Sequence, residues 1–346
     1  MLYKPLTIEF IREHIEGFKT FTFREPNGID YKAGQYLTFV QKTTHEEIRR
    51  SYSIVSAPLL NEPLTIGVKR IDNGLFSRQL IDHAKTGDEL LSSGAGGLFT
   101  LPDDLSNVRQ IFFLAAGSGI TPIYSLLKTV LHLHKQIRIV LIYSNPSPQK
   151  TIFLQELNEL NQKFDQRFQL QFLFSNSLNL SLARLNRELL AQLTHKHRIC
   201  DFDQTLFYIC GPDAYMRMCT YTLREEKVPR ENIRKEIFII QQKQIPKPDP
   251  PDKKAHLVTV QYGNINYVLD VSYPDSILKE AKKQNILLPY SCEAGRCGNC
   301  VAKCISGNVW LSYNEVLTDM DLKNGLTLTC VGHPVGGDVI LKINSS

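Results

Sequence analysis

The stretch "CEAGRCGNC", residues 292–300, places three of the chain's eight cysteines in nine positions. A backbone that concentrates its thiols so tightly must bend around whatever they hold. Cys292, Cys297 and Cys300 follow the spacing C-x4-C-x2-C, and Cys330 in "LTLTCVGHP" stands thirty residues further on. Structural zinc sites draw two ligands from each of two short C-x2-C hooks, which is a different arrangement. A disulfide knot would pair the thiols with each other instead. Three thiolates from one loop and a fourth from a distant strand suit an iron–sulfur cluster. Gly295 and Gly298 lie between the candidate ligands, where backbone must pass close to inorganic sulfide without a Cβ in the way. Backbone N–H groups brought there can hydrogen-bond to sulfur and raise the cluster potential.

Residues around this loop extend the pattern. "HLVTVQYGNINYVLDV" alternates apolar and polar positions about a Gly-Asn turn, which predicts a β-hairpin. "DSILKEAKKQNI" places Ile277, Ala281 and Ile286 near helical spacing, with Asp275 as candidate N-cap. "DVILKI" predicts a closing strand. In this order, residues 257–346 resemble a plant-type [2Fe–2S] ferredoxin domain, an α+β β-grasp fold. The resemblance implies metal ligation by Cys292, Cys297, Cys300 and Cys330.

Upstream, "QQKQIPKPDPPDKKA" packs four prolines, four lysines and three glutamines into fifteen residues and cannot build a core. Residues 241–256 are therefore expected to be a Pro/Lys-rich linker, spanning roughly 45 Å when extended at about 3.1 Å per residue. It would serve as a swinging tether or as a passive spacer. At 346 residues the chain has room for two or three domains, each with its own core. No stretch reaches the roughly 18 consecutive apolar residues of a membrane span, and "MLYKPLTIEF" lacks the apolar run of a signal peptide. A cluster held by thiolates needs reducing surroundings, so a cytoplasmic protein is expected. The net charge of +5 comes without a basic tail, which gives no case for nucleic acid. The segment 257–346 carries seven Lys/Arg against eight Asp/Glu, too even a balance to steer a partner by long-range field.

Near the front, "RRSYSIVSAP" contains Arg50-Ser51-Tyr52-Ser53, followed by "VKRIDNGLFSRQL" with Gly74 and Ser77 and by "GDELLSSGAGGLFTLP". An extended strand lets Arg50 and Tyr52 share a face; Arg50 offers a cationic fork for a phosphate and Tyr52 an aromatic plane. These three strings in this order resemble the ferredoxin–NADP reductase superfamily. The resemblance implies a six-stranded antiparallel β-barrel over residues 1–103 that binds flavin. Arg50, Ser51, Tyr52 and Ser53 would line the flavin, with the Ser53 hydroxyl near its N5. Gly74 and Ser77 would pass the pyrophosphate over a helix N-terminus. FAD is favoured over FMN.

From residue 104 to 240 short apolar strands alternate with amphipathic helices. "RQIFFLAAGSGITPIYSLLKTVL" is a strand, a Gly-rich turn and a helix with Ile123, Leu126, Leu127, Val130 and Leu131 on one side. "IRIVLIYS", "FQLQFLFS" and "TLFYICGP" add three more buried strands. Such alternation predicts an α/β doubly wound parallel sheet with ligands beyond the carboxyl ends of the strands. "GSGITP" and "CGPDAYM" resemble the two nicotinamide-site strings of the same superfamily. By that resemblance Gly117, Gly119, Thr121 and Pro122 shape the pyrophosphate and nicotinamide pocket, and Cys210, Gly211 and Pro212 line the side where hydride leaves. Cys210 also reads as a small buried hydrophobe. Ser144 and Lys150 in "YSNPSPQKTIF" are candidates for a 2′-phosphate, but Pro146 stands where relatives carry an arginine, so NADH and NADPH both stay open.

A nicotinamide gives up two electrons as hydride and a [2Fe–2S] cluster accepts one, so a flavin between them is the necessary converter. The expected function is an NAD(P)H-dependent reductase passing electrons through FAD and the cluster to a partner oxygenase, hydroxylase or desaturase. No catalytic acid, base or nucleophile is required; Tyr52, Ser53 and Cys210 are the residues nearest the chemistry. "VKRIDNGLFS", "TIFLQELNEL" and "LTCVGHP" resemble the reductase components of the phenylacetyl-CoA epoxidase group. A redox sensor or electron conduit with an unused nicotinamide site is the alternative. Cys200, Cys219 and Cys304 read as packed thiols, and His132, His134, His195 and His197 as non-ligands. His333 reads as a surface-turn residue beside the fourth thiolate. Phe238 in "KEIFII" is either an aromatic over the flavin or a core strand position.

Overall fold

A computed structural model describes residues 3–42, 47–238 and 248–343. They divide into two compact units, one made of residues 3–95 and 99–236 and the other containing residues 237–343.

The first unit begins with a six-stranded antiparallel sheet. Its strands are β1 (Lys4–Ile15), β2 (Phe18–Phe23), β3 (Tyr36–Lys42), β4 (Glu47–Ser53), β5 (Thr65–Lys69) and β6 (Glu89–Gly96), in spatial order β4-β3-β6-β1-β2-β5. The two outer strands meet through a bridge between Ile54 and Ile66, backed by Val55 N donating to Thr65 O at 2.8 Å, so the sheet closes into a barrel. Closure leaves no edge to aggregate. Period-two alternation points Phe21, Phe23, Leu37 and Phe39 inward. Helix α1 (Leu75–His83) plugs one end with Phe76, Leu80 and Ile81.

The same unit continues as a five-stranded parallel sheet of β7 (Gln110–Ala116), β8 (Arg138–Asn145), β9 (Phe168–Phe174), β10 (Thr205–Cys210) and β11 (Ile233–Glu236), in order β11-β10-β7-β8-β9. Helices α2 (Ile120–Leu133), α3 (Leu154–Lys163), α4 (Arg187–His197) and α5 (Asp213–Glu225) connect the strands. Strand β10 is buried at every position, as a strand covered on both faces must be. The predicted face of α2, Ile123 through Leu131, is buried throughout. The chain runs outward from β7 to β9 and returns to β10 on the other side of β7. That reversal opens a crevice at the carboxyl ends of β7 and β10. Lys128 of α2 makes an ion pair with Glu62 of the barrel, and Ser125 Oγ donates to Ser56 O at 2.5 Å.

The second unit is a mixed sheet of β12 (His256–Tyr262), β13 (Ile265–Val271), β14 (Val301–Ser306), β16 (Leu326–Leu328) and β18 (Val339–Ile343), in order β13-β12-β18-β14-β16. A small ribbon of β15 (Val309–Leu311) and β17 (Gly332–Pro334) lies beside it, with helices α6 (Ile277–Lys283) and α7 (Asp319–Lys323). The predicted hairpin is β12–β13, turning at Gly263 with φ of 60°. The N-cap of α6 is Ser276, whose Oγ accepts from Lys279 N, and not Asp275. Asp275 instead holds Lys279 at 2.7 Å and also pairs with Lys283, since a carboxylate one residue before the cap reaches the helix's own ammonium groups. Of the proline-rich stretch, 241–247 lies outside the described residues. Its remainder packs on this unit: Pro250 is buried, Tyr273 Oη donates to Asp249 at 2.7 Å, and Gly336 N donates to Asp252 at 3.0 Å.

Candidate functional site

At the crevice the strings 117–122 and 210–212 come together. Gly117 follows β7 in a left-handed conformation, φ 55°, and its carbonyl accepts from Tyr143 Oη at 2.9 Å. Gly119 opens α2 against the end of β10: a Cβ there would lie 2.0 Å from Cys210 O, which no side chain tolerates. Thr121 is buried, its hydroxyl donating to Ser118 O at 2.9 Å, and Pro122 sits in the first helical turn, where its missing N–H costs nothing. Gly211 is equally constrained, since a Cβ would meet Ala116 Cβ at 2.9 Å and Tyr215 Cδ1 at 3.0 Å. Pro212 caps α5. Two fourteen- and thirteen-residue helices thus start at one crevice, presenting N–H groups and positive dipole ends suited to a pyrophosphate.

Strand β4 carries the R-x-Y-S residues. Arg50 and Ser51 are exposed, Tyr52 is half-buried and Ser53 is buried. The Arg50 guanidinium donates back to Arg49 O at 2.7 Å, and Ser51 Oγ lies 2.9 Å from Thr38 Oγ1. Tyr52 stacks on Phe76 with centroids 6.0 Å apart, which fixes its ring, and burial pushes its phenol up so that it stays neutral. Ser77 is buried in the first turn of α1, donating to Gly74 O at 3.1 Å and accepting from Ile71 N at 3.2 Å. It shapes the helix entrance rather than reaching outward.

One residue at this site escaped the sequence reading. Glu236 ends β11 opposite Cys210 in the parallel register, and Ser53 Oγ donates to its Oε2 at 3.5 Å. Burial lifts its carboxyl to about 8, against a smaller lowering by the Ser53 hydroxyl. Burial, helped by Glu236, also pushes the Cys210 thiol well up. The site therefore holds two neutral protic groups and a hydroxyl in one buried line. Phe238, by contrast, is 42% exposed and lies beyond β11.

The four candidate ligand thiols of the second unit form two pairs. Cys300 Sγ lies 3.1 Å from Cys330 Sγ, and Cys292 is hydrogen-bonded to Cys297. Among the described residues no three His, Cys, Asp or Glu converge as for a single ion. Two pairs instead fit a binuclear cluster with two thiolates on each iron. Gly295 and Gly298 take φ of 71° and 76°, and a Cβ on Gly295 would lie 2.7 Å from Tyr313 O. The Cys297 thiol, then the N–H groups of Arg296, Ala294 and Cys297, hold the Cys292 thiol down to about 6. A loop already aiming N–H groups at sulfur is fitted to an anionic iron–sulfur centre. Cys304 turns toward Ser306 O and Gly307 O, and Cys219 is buried in α5. His333 is buried, not on a surface turn, because β17 pairs it with Trp310.

The geometry defines an oxidoreductase with a flavin-type barrel, a nicotinamide-type sheet and a four-thiol domain in one chain. Family models agree: an oxidoreductase FAD-binding domain matches residues 7–101, an oxidoreductase NAD-binding domain 113–220 and a 2Fe-2S iron-sulfur cluster binding domain 263–335. The ferredoxin reductase component of 3-ketosteroid-9-alpha-monooxygenase from Mycobacterium tuberculosis is 30% identical over 91% of this chain and 86% of its own. A component of 1,2-phenylacetyl-CoA epoxidase from Escherichia coli is 29% identical over 99% of this chain and 98% of its own. Phthalate dioxygenase reductase shares the fold, with a TM-score of 0.59 at 22% identity, covering 99% of this chain and 98% of that one. The chain belongs to this family of reductase components, with FAD, NAD and [2Fe–2S] domains in the order flavin, nicotinamide, ferredoxin. Among the described residues no helix is long and apolar enough to cross a membrane.

Proposed function

We propose that this reductase takes hydride from NADH or NADPH at the β7/β10 crevice and delivers single electrons to a separate oxygenase, hydroxylase or desaturase component in the cytosol. Bound flavin supplies the two-electron to one-electron conversion and the cluster a one-electron relay. The observation that carries the reading is the meeting of both nicotinamide strings with Ser53 at Glu236 and Cys210. Gly119 and Gly211 leave room for a nucleotide to approach backbone. Tyr52 offers a fixed aromatic plane and Arg50 an exposed cation for phosphate. Ser53 and a neutral Glu236 hold hydrogen-bonding protons at the reacting face, and burial keeps water away from it. Cys292, Cys297, Cys300 and Cys330 would hold the iron–sulfur centre that supplies this relay.

The partner's class is supported by the relatives, one a component of a ketosteroid monooxygenase and one of an epoxidase. Anaerobic titration of the purified protein with NADH and separately NADPH tests the order of transfer, with absorbance following the flavin and low-temperature EPR the cluster. Flavin bleaching followed by a growing rhombic signal is expected. Reduction of both centres by dithionite, with neither nucleotide active, would replace this reading with a redox sensor.

A further inference from the structure

Within residues 292–300 the only charged side chains are Glu293 and Arg296. Glu293 turns to Lys282 at 2.7 Å, both substantially exposed. Arg296 does the opposite. Its side chain is 13% exposed, with Nε 2.9 Å from Glu315 Oε2. Its NH2 group reaches Tyr313 Oη at 3.5 Å, and the guanidinium carbon lies 5.4 Å from the centre of that ring. The partner segment is itself bound to the cysteine loop, because Glu315 N donates to Gly295 O at 3.1 Å. Asn314 Oδ1 then accepts from Val316 N at 3.2 Å and Leu317 N at 2.9 Å, fixing the carboxylate's backbone. Arg296 directly precedes Cys297 in the chain, inside the loop that carries three of the four candidate ligands.

A cation locked next to the sulfurs, and largely out of water, interacts more strongly with cluster charge than a solvated one. Reduction adds one electron to the cluster and alters no bond, so a fixed positive charge stabilises the reduced state and a fixed negative charge opposes it. We propose that Arg296 and Glu315 form a fixed-charge couple that sets the reduction potential of the [2Fe–2S] centre, Arg296 raising it and Glu315 offsetting part of the rise. The couple decides how far the cluster fills from the flavin and which acceptors it can reduce. It rests on the four-thiol ligation proposed above, which iron content and the EPR signal test by themselves.

The experiment is an anaerobic potentiometric titration of the full-length holoprotein, read by EPR for the cluster and by absorbance for the flavin. Arg296→Gln should lower the ratio of reduced to oxidised cluster at a fixed potential by about tenfold, ~59 mV for one electron. Glu315→Gln should raise that ratio, Arg296→Lys should recover most of the loss, and the double variant Arg296→Gln/Glu315→Gln should return toward wild type. The flavin potential should stay in place in all of them. Single variants that move the cluster in the same direction, or leave it unmoved with full iron content, overturn the couple. Should Arg296→Gln assemble no cluster, Glu315→Gln decides: a potential that is unchanged or lowered sinks the proposal. A wild-type protein with no cluster signal overturns the ligation, and the couple with it.

Discussion

Ser53 Oγ donates to Glu236 Oε2 across 3.5 Å, joining the last residue of β4 to the last residue of β11. Because burial lifts Glu236 to about 8, the carboxyl is protonated at neutral pH. Ionisation above that pH would put a negative charge at the proposed hydride-transfer face. Flavin reduction by NADH, followed by anaerobic stopped-flow, should therefore slow as pH rises through about 8. Glu236→Gln stays neutral and should give a flat profile between about pH 6 and 9. The stability sign is the same: unfolded chain ionises near ~4.3, so this contribution is full below that pH and is lost as pH rises to the folded value. Equal pH profiles for wild type and variant would refute the assignment.

Gly119 has no space for a side chain, since a Cβ would stand 2.0 Å from Cys210 O. Gly119→Ala should force α2 away from β10 and close the crevice. Overpacking of this kind costs about 1–3 kcal/mol, so the fold should survive with a lowered melting temperature. NADH affinity should fall by at least about tenfold while flavin and iron content stay normal. Unchanged affinity, measured by fluorescence quenching, would mean that the nucleotide does not use this turn.

The parts legible in the sequence were those with local causes. Strand and helix periodicity located α2 and β10, and the C-x4-C-x2-C spacing with its glycines located the thiol loop. Glu236 was not legible, because its role depends on parallel pairing with Cys210 and on a contact to Ser53, 183 residues away in sequence. The cap of α6 was missed by one residue because Asp275 and Ser276 are both good cap formers, and only the side-chain reach separates them. Composition made the whole stretch before β12 look like tether, yet Asp249 and Asp252 find hydroxyl and N–H partners on the folded unit. Composition sets what can be buried, not which exposed carboxylate finds a partner.

Cys300 and Cys330 share one side of the thiol group, and Cys292 and Cys297 the other. On the proposed ligation, loss of any one would leave an iron with a single protein thiolate. Cys300→Ser and Cys330→Ser should each abolish the cluster EPR signal and lower iron content. The same variants should still bleach flavin with NADH and reduce ferricyanide, because the flavin and nicotinamide sites lie in the other compact unit. Cytochrome c reduction should drop by at least about tenfold. A Cys330→Ser protein with full iron and a native signal would assign the fourth ligand elsewhere, with Cys304 the first to test.

Lys128 and Glu62 hold the parallel sheet to the barrel. The Lys128 side chain is 11% exposed and its ammonium lies 4.5 Å from the centre of the Tyr124 ring. Burial lowers its pKa, and Glu62, which also accepts from Ala57 N at 2.8 Å, opposes that shift. Removing one partner of a buried pair leaves an uncompensated charge, but Glu62 is 32% exposed and can be partly rehydrated. Lys128→Met should therefore cost about 1–3 kcal/mol, between the values for exposed pairs and for fully buried ones. At roughly 2–4 °C per kcal/mol for a unit of this size, the melting temperature should fall by about 2–12 °C. Lys128→Met/Glu62→Gln should recover most of that loss, since the pair then leaves no buried charge behind. Calorimetry on the flavin-loaded protein checks both, and a double variant no more stable than the single would show that Lys128 acts through its contact with Tyr124 and not through its charge.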